Sequence, residues 1–307
     1  MLSLDLVATT IVASHPLDAA AALAPARRGP YDPCFHVAAD GSIWRTSHMP
    51  AGPVTFRITQ VDARTVRCQA WGPGAQELVA HAPALLGMED DPSTFTPTHP
   101  LLVEAHRQHP GLRIGRTHRV LEALVPAVLE QRVHSVAAYA SWRRLVTRFG
   151  EKAPGPAPDG MRVPPSAQVW RRIPSWEFHR ANVDPARSRT IVRAAQVADS
   201  VERLVHLDPA EAATRLMSVP GIGVWTAAET LQRAIGDPDA LSVGDYHLAG
   251  IVGWSLLGRS IDDAEMVTYL EPMRPHRYRV IRLLMASGRA VKPKFGPRTP
   301  IADHRFH

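Results

Sequence analysis

The chemistry readable in this chain gathers around one carboxylate and one turn. Asp245 stands in Ser242-Val243-Gly244-Asp245-Tyr246-His247-Leu248, twenty-two residues beyond Gly223 of the turn Pro220-Gly221-Ile222-Gly223. Pro220 stops one helix, and the glycines permit backbone angles and a close approach that a Cβ forbids. Val224 starts the next helix, whose first amides have no intrahelical partner and are good phosphate ligands. Gly221, Ile222, Gly223, Val224 and Thr226 therefore form a candidate contact to a polyanion, made by backbone and blind to base sequence. The same tetrapeptide also serves simply to join two packed helices. Asp245 follows the helix-breaking Gly236-Asp237-Pro238 and precedes the largely apolar run from Tyr246 to Trp254, which is the place of an N-cap. The helix dipole keeps a carboxylate ionised there, so capping and catalysis are compatible roles. A fixed negative charge in a site poor in water stabilises a developing positive charge and orients or deprotonates a water molecule.

These residues carry a resemblance. The segment from about Ile191 to Gly288 is similar to the helix-hairpin-helix DNA glycosylase superfamily, in particular to its 3-methyladenine glycosylases of the bacterial inducible type. Upstream, Val128-Leu129-Glu130-Gln131 closes a helical stretch like the family's Ile-Leu-x-Gln, and His109-Pro110-Gly111-Leu112-Arg113 resembles the segment before it. Downstream, Arg274 to Arg279 resembles the Arg-containing opening of the family's last long helix, which makes Arg277 a candidate DNA contact. The likeness covers most of residues 85–288.

The resemblance implies a monofunctional glycosylase that flips a damaged base out of duplex DNA. Asp245 matches the catalytic carboxylate, which faces a C1′ turning oxocarbenium-like as the base departs. Alkylated purines are the expected substrates, because they already carry positive charge and leave readily. Bifunctional relatives place a nucleophilic lysine near the start of the hairpin's second helix, where this chain has Trp225, so no Schiff base is expected. Trp225 either lines the pocket and stacks on an extruded base or packs between helices; Tyr246, Trp170 and Trp176 are further pocket candidates. The family's wedge follows its conserved glutamine, here Gln131, and the residue at that place is Arg132 where an apolar one is usual. An arginine there either fills the gap left by the flipped base or lies solvated on the helix surface. The family's hairpin often holds an alkali cation, Na+ or K+, on backbone carbonyls, which here belong to Met217, Val219 and Ile222. Cys34 and Cys68 are too few, and placed too early, for the iron-sulfur cluster of some relatives, and their spacing matches no zinc signature.

Composition agrees with a polyanionic partner: 35 Lys and Arg against 29 Asp and Glu give a net charge of +6. The basic residues Arg289, Lys292, Lys294 and Arg298 alternate with Pro293, Pro297 and Pro300, which exclude a long helix and predict an irregular tail over 289–307. No targeting segment and no eighteen-residue apolar run is seen, which predicts a cytoplasmic, nucleoid-associated protein without membrane contact; a monomer is the default expectation.

The elements that position Asp245 are predicted from periodicity. Residues 2–13, 54–58 and 66–70 alternate apolar and polar, and Asp40-Gly41 is a hairpin turn, so an antiparallel sheet is expected, flanked by helices over 16–24 and 75–86. This forms an α+β unit over residues 1–95, expected to be remote from the chemistry. Residues 96–288 read as all-α, two helical lobes around a cleft, with helices near 100–109, 116–132, 134–149, 165–171, 185–202, 209–218, 224–235, 246–257, 262–270 and 275–287. The Pro- and Gly-rich stretch 153–160 is expected to be a surface loop, with a domain linker as the alternative. The fold class is α+β. Two other readings stand beside the first: a glycosylase of the same fold for oxidised, deaminated or bulky lesions, and a non-catalytic DNA-binding protein that uses the hairpin alone.

Overall fold

The computed structural model describes residues 6–293 and Asp303. The N-terminal unit is a five-stranded antiparallel sheet, β1 (Val7–Val12), β2 (Phe35–Val37), β3 (Ile43–Met49), β4 (Gly52–Gln60) and β5 (Thr65–Trp71), in the order β1-β5-β4-β3-β2. The expected alternation sets the register, with Phe56 opposite Ala70 and Ile58 opposite Cys68. These side chains, with Val54 and Val66, form a buried face covered by α1 (Ala19–Leu23) and α2 (Ala75–Leu85). Each such aliphatic or aromatic side chain, fully buried, contributes about 1.5–3 kcal/mol. Of the strand expected over 2–13, residues 2–5 lie outside the described residues.

The rest is helical: α3 (Pro100–Gln108), α4 (Val120–Leu129), α5 (Ser135–Phe149), a two-stranded ribbon β6 (Glu151–Lys152) and β7 (Arg162–Val163), then α6 (Ala167–Trp170), α7 (Ser175–Arg180), α8 (Pro185–Gln196), α9 (Ala198–Glu202), α10 (Pro209–Met217), α11 (Val224–Ala234), α12 (Leu248–Val252), α13 (Asp263–Leu270) and α14 (Arg277–Ala286). An α+β fold is therefore confirmed. One helical core surrounds α4, with Leu124, Val128, Ile191, Leu216 and Leu231 fully or nearly fully buried. A second joins α3 to α12, α13 and α14 through Leu102, Val252, Met266 and Leu284. The chain passes from the first core to the second between Ile235 and Leu241.

Two helices differ from expectation, and a third segment is held more firmly than its sequence alone shows. The helix expected from residue 116 starts only at Val120, because Glu202 caps it from a distance by accepting the Val120 and Leu121 amides at 2.9 and 3.0 Å. It ends at Leu129, and Arg132 then takes a left-handed backbone with φ 54°. The helix expected over 246–257 begins at Leu248 and turns π-helical over Gly253–Leu257. The stretch 153–160 is an irregular, largely exposed surface loop, as expected, and its ends are tied down. Ribbon β6–β7 pins its ends against the N-terminal sheet, with Arg162 N–H donating to Pro33 O at 2.8 Å, Thr46 Oγ1 donating to Arg162 O at 2.5 Å, and Gly155 lying against the Trp71 ring. The basic tail expected over 289–307 falls, beyond residue 293, outside the described residues apart from Asp303.

Candidate active site

Helices α10 and α11 form the hairpin. Asp208 caps α10 by accepting the Ala210 amide at 2.9 Å. The turn is held from inside by the buried Ile222 side chain and the Ile222 N–H to Val219 O bond of 3.1 Å. Gly221 has φ 100°, and a Cβ built there would stand 2.0 Å from Thr190 Oγ1 on α8, so only glycine fits. Gln131, just past α4, donates through Nε2 to both Gly221 O (2.9 Å) and Thr226 Oγ1 (2.8 Å). Both amide hydrogens of Gln131 are thus spent on bracing the turn. Thr226 is buried and its hydroxyl faces this brace, so it does not reach outward as expected. Gly221, Gly223 and Val224 are exposed at the mouth of α11.

Asp245 is suspended from α11. Ser242, the first residue of the turn that carries it, is buried; its hydroxyl donates to Glu229 Oε1 at 2.5 Å and accepts from Gln232 Nε2 at 2.9 Å. Gly244, with φ 90°, lets the chain double back, and its N–H donates to Asp263 Oδ2 at 3.2 Å. Asp245 Oδ1 then accepts the His247 and Leu248 amides at 2.8 and 3.0 Å in the turn leading into α12, whose N-cap position is His247 and not Asp245 as expected, while Oδ2 accepts the indole N–H of Trp225 at 3.2 Å. Three donors on about four lone-pair directions hold the carboxylate in one orientation and leave an acceptor direction for a ligand.

The structure thus brings Trp225, Asp245 and Tyr246 together. Trp225 is half-buried and Tyr246 is exposed, its ring edge-on to His247. Trp170 is a correction: it is 2% exposed and stacked between Trp142 and Phe178 in the α4 core, closed to any ligand because α6 turns its apolar face inward. Trp176 is exposed on α7, which packs on α8. Arg132 is exposed on its left-handed turn beside the Gln131 brace. Arg277 is a second correction. It is buried and forked onto Asp239, with Nε and Nη2 at 2.9 and 2.7 Å from the carboxylate, and so ties α14 to the 235–241 crossing instead of facing DNA.

The N-terminal unit, expected to be remote, reaches this site. Arg233 of α11 donates to Pro25 O at 2.8 Å, and Arg28 pairs with Glu130 at 3.4 Å across the end of α4. Asp32 fixes the intervening loop by accepting from Arg28 N–H, Cys34 N–H and Trp142 Nε1 at 2.7, 2.9 and 2.9 Å. Burial pushes the Glu130 carboxyl up, Arg28 and Arg233 oppose the shift, and the charges of Glu229 and Asp245 add to it. None of Arg28, Glu130, Glu229 or Arg233 was legible as a site residue. Glu130 alone gave a signal, as the x of Leu-x-Gln. A separate groove of about 650 Å³ between α5 and α7 is lined by Arg143, Arg144, Arg148 and Arg180 around Glu177. Among the described residues no three His, Cys, Asp or Glu side chains gather as a metal set, and no helix is long and apolar enough to cross a membrane.

No family model matches the chain. It is 31% identical over 226 residues to a Mycobacterium tuberculosis protein named probable bifunctional transcriptional activator/DNA repair enzyme AlkA, covering 68% of this chain and 43% of that one. It is 26% identical over 180 residues to a Bacillus subtilis DNA-3-methyladenine glycosylase, covering 56% of this chain and 59% of the other. The chain thus matches only about half the length of these curated relatives. Among solved structures, a 3-methyladenine DNA-glycosylase from Archaeoglobus fulgidus superposes with a TM-score of 0.74 at 16% identity over 91% of this chain and 98% of that one. An 8-oxoguanine glycosylase/lyase from Clostridium acetobutylicum does so with a TM-score of 0.69 at 11% identity, over 92% and 98%. At such identities the superpositions establish a shared fold.

Proposed function

We propose that this AlkA-like chain, built on the helix-hairpin-helix glycosylase fold, removes damaged bases from duplex DNA by hydrolysing the N-glycosidic bond, with alkylated purines as its first substrates. The observation that carries the reading is Asp245, held by three donors and hung from the helix whose exposed start is suited to a DNA phosphate. In this reading the amides at Gly223 and Val224 grip the backbone, and the damaged nucleotide is extruded toward Trp225 and Tyr246. The C1′–N bond breaks with its electron pair passing to the base, which neutralises a cationic purine. The charge on Asp245 stabilises the oxocarbenium-like sugar; water then bonds to C1′ and gives up its proton to the carboxylate or to solvent. Arg132 fills the space left in the stack.

A monofunctional reaction is supported by the amine inventory. The chain has three lysines, Lys152, Lys292 and Lys294, and Trp225 occupies the place from which a lysine would attack. Lys152 lies on ribbon strand β6 against the N-terminal sheet. The carbonyls of Met217, Val219 and Ile222 are the proposed holders of an alkali cation at the turn. Val219 O accepts one N–H, from Ile222, which leaves it a lone pair for such an ion. The site of action is chromosomal DNA in the cytoplasm, by a monomer.

Release of free base from methylated duplex DNA tests the reading. Wild type is expected to release base, and Asp245→Asn to lose release while still binding abasic-site duplex through the hairpin. Unimpaired release by Asp245→Asn overturns the catalytic assignment, and no release from any lesion by wild type overturns the enzyme.

A further inference from the structure

The ionic group beside Asp245 is hard to explain by stability alone. Arg28 and Glu130 have side-chain exposures of 6% and 17% and meet at a long 3.4 Å. Arg233 and Glu229 lie alongside, paired at 2.9 Å with exposures of 15% and 18%. Taking charges this far out of water is costly, and a single long contact returns little of that cost. Arg28 is also incompletely used. Its Nε–H is buried and finds no acceptor among the described residues. An unmatched buried guanidinium donor next to a partly open carboxylate is a recognition pair waiting for a ligand with an acceptor and a donor on one edge.

Several contacts locate the pair at the site. Glu130 immediately precedes Gln131, the brace of the hairpin, and its carboxyl responds to the charge of Asp245. Glu229, one turn beyond Trp225 on α11, holds the Asp245 loop through Ser242. Gly29 presses on the Tyr139 ring, and Asp32 anchors the loop by its three bonds, so Arg28 is held in place.

We infer, resting on the glycosylase reading above, that Arg28 and Glu130 read the edge of the extruded base and favour guanine-derived over adenine-derived lesions. A guanine edge offers the O6 acceptor to Arg28 and the N1–H and N2–H donors to Glu130. An adenine edge puts its N1 acceptor against the carboxylate. Alkylation at N3 or N7 leaves these edges intact, so the preference applies to the cationic purines themselves. A site built to pair buried polar groups rejects the ligand that leaves them unpaired, and one good bidentate contact is worth about 5- to 150-fold in discrimination.

The test measures release of 7-methylguanine and 3-methyladenine from methylated duplex, together with equilibrium binding of the two free bases followed by tryptophan fluorescence. Wild type is expected to favour 7-methylguanine in both measurements, by about tenfold. Glu130→Gln, nearly isosteric, is expected to lose most of that preference, and Arg28→Met to weaken 7-methylguanine selectively. Equal treatment of the two bases by wild type, or an equal loss for both in Glu130→Gln, overturns the inference even if Asp245-dependent release stands. If no base is released, the binding measurement decides the inference by itself, since it needs no bond cleavage.

Discussion

The indole nitrogen of Trp225 lies 3.2 Å from Oδ2 of Asp245, so the residue at the lysine position of bifunctional relatives serves the carboxylate as a hydrogen-bond donor. A phenylalanine keeps the ring and removes the N–H. A hydrogen bond to a charged group is worth about 1.5–3 kcal/mol, so Trp225→Phe is expected to lower kcat for base release about ten- to hundredfold. Affinity for abasic-site duplex stays near that of wild type. Loss of affinity with kcat intact would place Trp225 in binding only.

The brace between Gln131 and the hairpin carries its own prediction. Gln131→Ala removes two donors and leaves the Gly221 carbonyl and Thr226 hydroxyl short of partners. At about 1 kcal/mol per bond, stability in urea falls by about 1–3 kcal/mol, and affinity for abasic duplex falls with it. An unchanged unfolding midpoint would show that the turn is held without Gln131.

Gly221→Ala meets two obstacles, a φ of 100° and a contact 2.0 Å from Thr190 Oγ1. The expected cost is about 2–4 kcal/mol, read from denaturant unfolding. Adding Thr190→Ala is expected to return part of it, since the steric contact goes and the backbone strain stays. Complete recovery in the double variant would mean that the backbone angle costs nothing.

Borohydride present during turnover is expected to trap no protein–DNA adduct. The reaction has no amine nucleophile at Trp225, and the lysines of the chain are confined to β6 and its last sixteen residues. A trapped adduct mapping to Lys292 or Lys294 would bring the tail into the active site.

Acid sensitivity is expected from His276. Its Nδ1 accepts from Arg279 Nε at 3.1 Å, which leaves Nε2 protonated and donating to Thr94 Oγ1 at 2.7 Å. Burial, and then the Arg279 charge, hold its pKa below the usual histidine value. The folded state therefore binds this proton less readily than the unfolded chain. The stabilising difference is complete above the unfolded value of about 6.5 and is lost as pH falls from there toward the folded value. Unfolding midpoints are expected to drop below pH 6.5, and His276→Gln to flatten that drop. Identical slopes for both proteins would rule His276 out.

How much of this was legible follows the range of the interactions. The turn Pro220 to Gly223 is set by neighbours in sequence, and its local form matches the reading; Asp245 binds amides just ahead of α12 but stands two residues before that helix's N-cap. The sheet was legible because its faces alternate. The late start of α4 was not, since its cap, Glu202, is 82 residues away. Trp170 and Arg277 were misplaced for one shared reason. An aromatic ring or a guanidinium looks the same in sequence whether it faces a ligand or its own core, and only the Trp142 stack and the Asp239 fork decide. Arg28 was invisible because its partner Glu130 is 102 residues further along the chain.

The suspension of Asp245 from α11 through Ser242, Glu229 and Gln232 has a mechanical meaning. In the proposed reaction these bonds set the interval between the amides at the start of α11, which would meet a phosphate, and the carboxylate, which would meet the C1′ whose bond to the base is broken. An undamaged, well-stacked nucleotide would resist the deformation that brings its C1′ there, before any pocket has inspected it.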